Sequence, residues 1–240
     1  MFRELFGEDP QAIKPFCLLA PFYSAAILDI LRIPRLKQGT LYACGHNHDL
    51  TFIHTRIGPT FLGDAVLHLE KTPCQNLTLL GACGATSMTP GMELGTPIFP
   101  SGSYAMDSFS AVLSKTKTNF PFYKSDAALT EDLFHHNGGA GQRVSAAASF
   151  SSFYLETQYR DLFLKKGIEV VDMETAALFQ AAALTGKKAG AVLYVTDILD
   201  ISHPFRHWSR AEKRLLQEAS RQAASIILRT ARQKNKSASN

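Results

Sequence analysis

The chain has 240 residues, 45% of them hydrophobic and 19% charged, which is the make-up of an ordinary globular protein and not of a disordered or fibrous one. Formal net charge is +4, and Arg229, Arg232, Lys234 and Lys236 supply it near one end with no acid among them. That confines the excess charge to a basic, solvated, disordered tail over 229–240, and a nucleic-acid partner would need a basic face on the body as well.

No apolar run approaches the roughly 20 residues of a membrane helix. Residues 1–10 lack the basic start and apolar centre of a secretory signal, so a cytoplasmic protein without membrane contact is expected. Cys17, Cys44, Cys74 and Cys83 show no CxxC spacing and three lie in apolar runs, which describes buried free thiols in a reducing compartment. No break in composition divides residues 15–228, so residues 1–228 are read as one domain.

In chain order, residues 13–20 read as a first buried strand and 25–32 as a short helix. Residues 39–44 and 50–57 read as two strands joined across a hairpin turn at 45–49. Phe61, Leu62, Ala65, Val66 and Leu69 recur at helical spacing after Thr60, a candidate N-cap. Leu77 to Leu80 reads as a short strand ending in a glycine turn, Gly81-Ala82-Cys83-Gly84. A strand over 96–106, a helix over 126–136 closed by Gly138-Gly139, and an alanine-rich strand over 144–150 follow. Next come a helix over 155–166, a strand over 168–171, a helix over 173–185 and a strand over 189–195. Ser209-Arg210-Ala211-Glu212 is a capping box that opens a long last helix. Its buried stripe is Leu215, Leu216, Ala219, Ala223, Ile226 and Ile227. Strands alternating with helices give an α/β fold with a largely parallel, helix-covered sheet.

Ligands of such sheets bind beyond the carboxyl ends of strands. Three polar clusters fall there: Gly81 to Gly84, Asp172-Met173-Glu174, and Thr196-Asp197. Taken singly, each has a plainer account as a turn, a carboxylate complementing a helix dipole, or a helix cap. Taken together, two carboxylates at element ends can converge on one small ligand.

The order of these clusters resembles the nucleoside phosphorylase superfamily, which includes purine nucleoside and uridine phosphorylases and methylthioadenosine/adenosylhomocysteine nucleosidases. The matching marks are Ile57-Gly58-Pro59-Thr60, Leu80 to Gly84, Phe153-Tyr154, Val171-Asp172-Met173-Glu174-Thr175-Ala176-Ala177 and Val195-Thr196-Asp197, within about residues 15–228. The resemblance implies a three-layer fold with a twisted, mixed, partly closed sheet surrounded by helices, assembled as dimers or larger rings. It implies an enzyme of nucleoside metabolism and purine salvage that cleaves an N-glycosidic bond. In that reading Asp197 is the general acid toward purine N7, and Glu174, ionised, accepts hydrogen bonds from the ribose 2′ and 3′ hydroxyls. Met173 packs on the sugar, Phe153 lies near the base with Tyr154 beside it, and Asp172, Cys83, Gly84 and Thr196 complete the substrate-binding set. To hold a proton near neutrality, Asp197 must have its pKa raised by burial. Uridine-cleaving relatives lack an acid at this position, which favours a purine.

The attacking group is left open. Phosphorolytic relatives hold phosphate through an arginine and a serine or threonine where this chain has Leu79 and Ala82, and their early phosphate loop is replaced by Leu19-Ala20-Pro21-Phe22-Tyr23. Phosphate as co-substrate therefore requires that Arg56, Thr86 or Ser87 has taken over. Hydrolytic relatives place a glutamate just after the first strand, and residues 20–25 contain no acid. Water is the slightly favoured nucleophile; no organic cofactor and no metal are implied. His46 and His48 flank a turn without a zinc spacing, and His135-His136 sit at a helix end. His203, His207 and Trp208 follow Asp197 where a lid would lie, and Arg210 and Lys213 are candidate supports for Asp197. The rival reading is a nucleoside-binding or storage protein on the same scaffold that turns nothing over.

Overall fold

The computed structural model describes residues 1–106, 108, 119–199, 201 and 206–238. Strand β1 (Phe16–Ala20) is apolar throughout and buried at all five positions. It therefore occupies the middle of a sheet, parallel to β4 (Thr51–His54) on one side and to the start of β5 (Asn76–Ala85) on the other. The expected hairpin forms, with β3 (Ala43–His46) antiparallel to β4 and β2 (Lys37–Gln38) outside it.

Strand β5 is the hub. Its first half pairs with β1 and its second half with β11 (Val170–Asp172), while its other edge pairs along its whole length with β12 (Lys188–Ile198). The main path runs β2-β3-β4-β1-β5-β11-β10-β7-β8, where β7 is Gly102–Met106, β8 Phe122–Lys124 and β10 Ala147–Phe150. A branch leaves β5 through β12 to β6 (Pro97–Pro100) and β9 (Gln142–Val144). The result is a large, twisted, mixed sheet that does not close on itself among the described residues.

Helices cover both faces. Alternation along β1 sends Cys17 and Leu19 to one core, shared with Leu62 and Val66 of α3 (Pro59–His68) and Leu178 and Phe179 of α6 (Thr175–Leu184). Phe16, Leu18 and Ala20 face a second core with α2 (Ala25–Leu31), α4 (Ala127–His136) and α7 (Arg210–Ala238). A third cluster packs Phe150 against Tyr159 and Phe163 of α5 (Phe153–Lys165), and α1 (Phe2–Phe6) closes the N-terminal edge. This is the helix-covered sheet that the alternating pattern implies, in the three layers that the family resemblance implies. No described helix is long and apolar enough to cross a membrane.

Several expectations are corrected. Gly81 to Gly84 is not a turn but the continuation of β5, because β11 and β12 supply partners on both edges. The strands expected over 96–106 and 144–150 are each two strands. Thr60 is not the cap of α3: Gly58 holds that position at a φ of 115° that disfavours a side chain, and Pro59 supplies the first residue. The capping box of α7 forms as read, with Glu212 N donating to Ser209 Oγ and Ser209 N to Glu212 Oε2. Leu215 leaves the expected stripe and is exposed, while Ala219, Ala223, Ile226 and Ile227 are buried.

The solvated tail is also overturned, since α7 continues to Ala238. Thr230 and Ala231 are buried, Arg232 Nε donates to Asp49 Oδ2 at 2.9 Å, and Lys234 pairs with Asp132. Apolar spacing carried on past the charges, and the acids that match them lie on distant segments. The four cysteines are buried and free.

Candidate active site

Gly84 organises the site. Across one edge of β5 it pairs with Asp197 on β12, and across the other with Val171 on β11. The β12 register slips between Val195, opposite Cys83, and Asp197, so Thr196 is an extra residue in the ladder. Such a bulge re-aims the side chain that follows it. Asp197 thus lies within β12, not beyond its end, and its carboxylate turns over Gly84. A Cβ on Gly84 would stand 3.0 Å from Asp197 Oδ2, so any side chain there forces Asp197 to give way by a few tenths of an ångström. Thr196 Oγ1 donates to Asp197 Oδ1 at 2.9 Å.

On the other edge, β11 ends in Asp172, which starts α6. Its Oδ2 accepts from the backbone N–H groups of Glu174 (3.1 Å) and Thr175 (2.7 Å) and from Thr175 Oγ1 (2.5 Å), and its Oδ1 from Ser149 Oγ (2.9 Å). Asp172 therefore caps the helix, satisfying amides that otherwise lack partners. Glu174, which caps nothing with its side chain, is left to reach Gly58, whose N–H donates to Oε1 at 2.6 Å.

The two acids share one cavity of about 280 Å³, just below the range of roughly 300–1,000 Å³ for small-molecule pockets. Asp197, Thr196, Cys83 and Gly84 form one wall; Asp172, Met173 and Glu174 form another. Phe153, Glu156, Trp208 and Leu216 contribute from α5, the segment before α7, and α7 itself. Tyr154 does not join them: it is 83% exposed, because the residue after Phe153 on a helix points away from it. Trp208 is steadied by Arg206, stacked 4.4 Å from its ring centroid and paired with Glu212. His203 lies outside the described residues, while His207, Arg210 and Lys213 are exposed and away from the cavity walls.

Electrostatically the cavity is acidic. It holds Glu156, Asp172, Glu174 and Asp197, all buried, and no Lys, Arg or His among its described lining residues. Burial raises Asp172, but its four donors oppose that rise, so Asp172 keeps the charge of the Asp172–Glu174 pair. Glu174 keeps the proton, pushed up to about 8 by burial and then by the charge of Asp172, against the hydrogen bond from Gly58. This shift favours the neutral acid of Glu174 near neutrality, where the sequence reading expects it ionised. Glu156, absent from the sequence reading, is pushed up to about 8 by burial and then by Asp197 and Asp172. Its signal was available: it lies three residues after Phe153, on the same helical face.

The candidate phosphate ligands lie elsewhere. Arg56 is exposed, donates Nε–H to Leu41 O at 3.0 Å and is not on the cavity wall. Thr86 Oγ1 donates to Ile168 O at 2.8 Å, and Ser87 is also outside the lining. His46 bonds Thr51 and Glu8 through its two ring nitrogens, and no cluster of metal ligands occurs among the described residues.

Residues 5–232 match the model of the phosphorylase superfamily. The chain belongs to the phosphorylase superfamily. Solved structures bear out its fold. Uridine phosphorylase from Vibrio fischeri ES114 superposes with a TM-score of 0.74 at 20% identity, over 94% of this chain and 95% of that one. The 5′-methylthioadenosine/S-adenosyl homocysteine nucleosidase of Campylobacter jejuni gives 0.73 at 14% identity, over 91% and 98%. A Helicobacter pylori nucleosidase variant with 5′-methylthioadenosine in its active site gives 0.73 at 10%, again over 91% and 98%. No curated protein matches the chain in sequence. Phosphorylase superfamily members include both phosphorylases and nucleosidases, so membership alone leaves the acceptor open.

Proposed function

We propose that this protein cleaves the N-glycosidic bond of a purine nucleoside, with water as acceptor. The observation that carries the reading is the convergence of Asp197 and Glu174, 23 residues apart in the sequence, on one buried cavity. In the proposed reaction Asp197 gives its proton to N7 as the C1′–N9 bond breaks, so the base leaves neutral and the sugar becomes oxocarbenium-like. A positioned acid of this kind contributes about 10²–10⁴-fold. Glu174, anchored by Gly58 through one oxygen, offers the other to the ribose hydroxyls and releases its proton as they bind. The resulting negative charge favours the cationic sugar. Water then bonds to C1′ and gives its proton to solvent, and Asp197 takes one back from solvent, so the products are ribose and free base.

Water is preferred over phosphate because the described lining offers no Lys, Arg or His to hold a dianion, and the charge of Asp172 repels one. Self-association is proposed as well: Leu67 and Leu184, exposed on α3 and α6, border one surface depression that a second copy would cover. The test is chromatographic detection of base after incubation with inosine, adenosine or methylthioadenosine, with and without phosphate. Equal release in both conditions supports hydrolysis. Strict phosphate dependence overturns the choice of acceptor, and nucleoside binding without any release favours a storage protein.

A further inference from the structure

Glu156 is a carboxyl group that the proposed reaction leaves unused. It projects from α5 one turn after Phe153, is 8% exposed and lines the cavity. No hydrogen bond from a described residue contributes to its environment, and the charges nearest it are the acids Asp197 and Asp172. Buried polar groups nearly always have a partner. A leucine or methionine would fill the same helix face without desolvating a carboxyl group between two acids. Lining the cavity, Glu156 is left to bond what fills it, water or a ligand that displaces the water.

The position of Glu156 indicates which part of the ligand. It follows Phe153 by one turn on α5, and Asp197 is the acid that acts on it most strongly; both are residues proposed to lie at the base, whereas Glu174 is proposed to hold the sugar. On a purine, the atom beside N7 along the same edge is the substituent on C6. We infer that Glu156 is the residue that reads that substituent, hydrogen-bonding the exocyclic group at position 6 while Asp197 serves N7. This rests on the proposed N-glycosidic cleavage and extends it to base selection.

The chemistry has a definite sign. Burial and the two neighbouring acids push Glu156 up to about 8, so at neutral pH it is a carboxylic acid. The acid donates O–H to a 6-oxo group, and its carbonyl oxygen accepts from a 6-amino group. The carboxylate can only accept. Raising the pH through about 8 therefore withdraws recognition of 6-oxopurines and keeps that of 6-aminopurines. The other titratable groups on the cavity walls are Asp197 and Tyr194 on β12, Asp172 on β11, Cys83 on β5 and Glu174 before α6, while Tyr159 and Arg160 follow on α5 itself.

The experiment compares kcat/KM of the native protein, Glu156→Gln and Glu156→Met on inosine, adenosine and purine riboside, which has no substituent at position 6, at pH 6.5 and pH 9. Glu156→Met is expected to lose roughly 10–100-fold on inosine and adenosine, the scale for a buried partner left unpaired, and to keep its rate on purine riboside. Glu156→Gln, an amide that donates at both pH values, is expected to lose less of its inosine-to-adenosine ratio between the two pH values than the native protein does. Ionisation of the substrate is common to both proteins and cancels in that comparison. An equal loss on all three substrates, or none, overturns the role of Glu156 while leaving the cleavage reaction standing. Absence of base release by the native protein from any of the three removes the reaction and this inference together.

Discussion

Placing one methyl group on Gly84 tests the geometry of the site without touching an ionisable residue. In Gly84→Ala the new Cβ lies 2.9 Å from Leu199 Cδ1, 3.0 Å from Asp197 Oδ2 and 3.5 Å from Asp197 Cγ. Ordinary contact begins near 3.4 Å, so a few tenths of an ångström must be found. Leu199 can swing its terminal methyl aside. Asp197 has less freedom, since Oδ1 is held by Thr196 and its backbone is paired to β5 at residue 84 itself. The carboxyl group therefore moves away from the cavity wall. A misplacement of about 1 Å can cost about 10²-fold in rate, so a few tenths should cost roughly three- to tenfold. The stability cost of such overpacking is about 1–3 kcal/mol, partly offset by about 0.5–1 kcal/mol for replacing glycine within a strand. Turnover of a purine nucleoside and thermal unfolding are measured together. Loss of kcat with only a small drop in Tm is the expected result. A folded Gly84→Ala protein with native kcat would refute the claim that Asp197 works from this position.

Asp172→Ala removes the acceptor of four hydrogen bonds at the start of α6 and should cost about 3–5 kcal/mol in urea unfolding, the scale for breaking a buried charged network. A substrate-only role for Asp172 would leave stability unchanged. Both Glu156 and Glu174 are pushed from 4.5 up to about 8, so their contribution to stability is complete below pH 4.5 and is lost as the pH rises through about 8. Tm should accordingly fall between about pH 5 and pH 8.5, and the fall should be shallower in Glu156→Gln; a flat or rising profile would contradict the assignment. Ending the chain after Leu228 deletes the buried Thr230 and Ala231 and the Arg232–Asp49 pair, and should cost about 2 kcal/mol or more. A solvated tail would make that truncation silent.

Much of the scaffold was legible because local signals and the global fold agree. The capping box at Ser209 and Glu212, the hairpin around residues 45–49 and the buried run of β1 each form as their composition dictates. The glycines of β5 misled for a physical reason. Glycine punctuates a chain as a turn residue and also sits in strands where another group must approach closely. At Gly84 the approaching group is the Asp197 carboxylate, which no local pattern announces.

The site was legible to a similar degree. Asp197, Glu174, Met173, Phe153, Cys83, Gly84 and Thr196 were all named from the sequence and all line one cavity. Asp172 lies on the same wall, but its oxygens are committed to α6, a duty visible only once the chain is seen turning from β11 into the helix. Tyr154 follows Phe153 in sequence but faces solvent, because neighbours on a helix point about 100° apart. Glu156 reads in sequence as one more charge on an amphipathic helix; its burial shows only once α5 lines a cavity together with residues of β11 and β12. The charges of the basic segment suggest a solvated tail because their partners, Asp49 and Asp132, lie more than 90 residues away in the sequence.

The most direct test of the central claim pairs Asp197→Asn with calorimetric titration of the nucleoside that the native protein cleaves best. The account predicts that the variant binds that nucleoside within a fewfold of the native affinity and loses about 10²-fold or more in kcat. Native turnover in Asp197→Asn, or a binding site that survives replacement of both Asp197 and Glu174 unchanged, would contradict it.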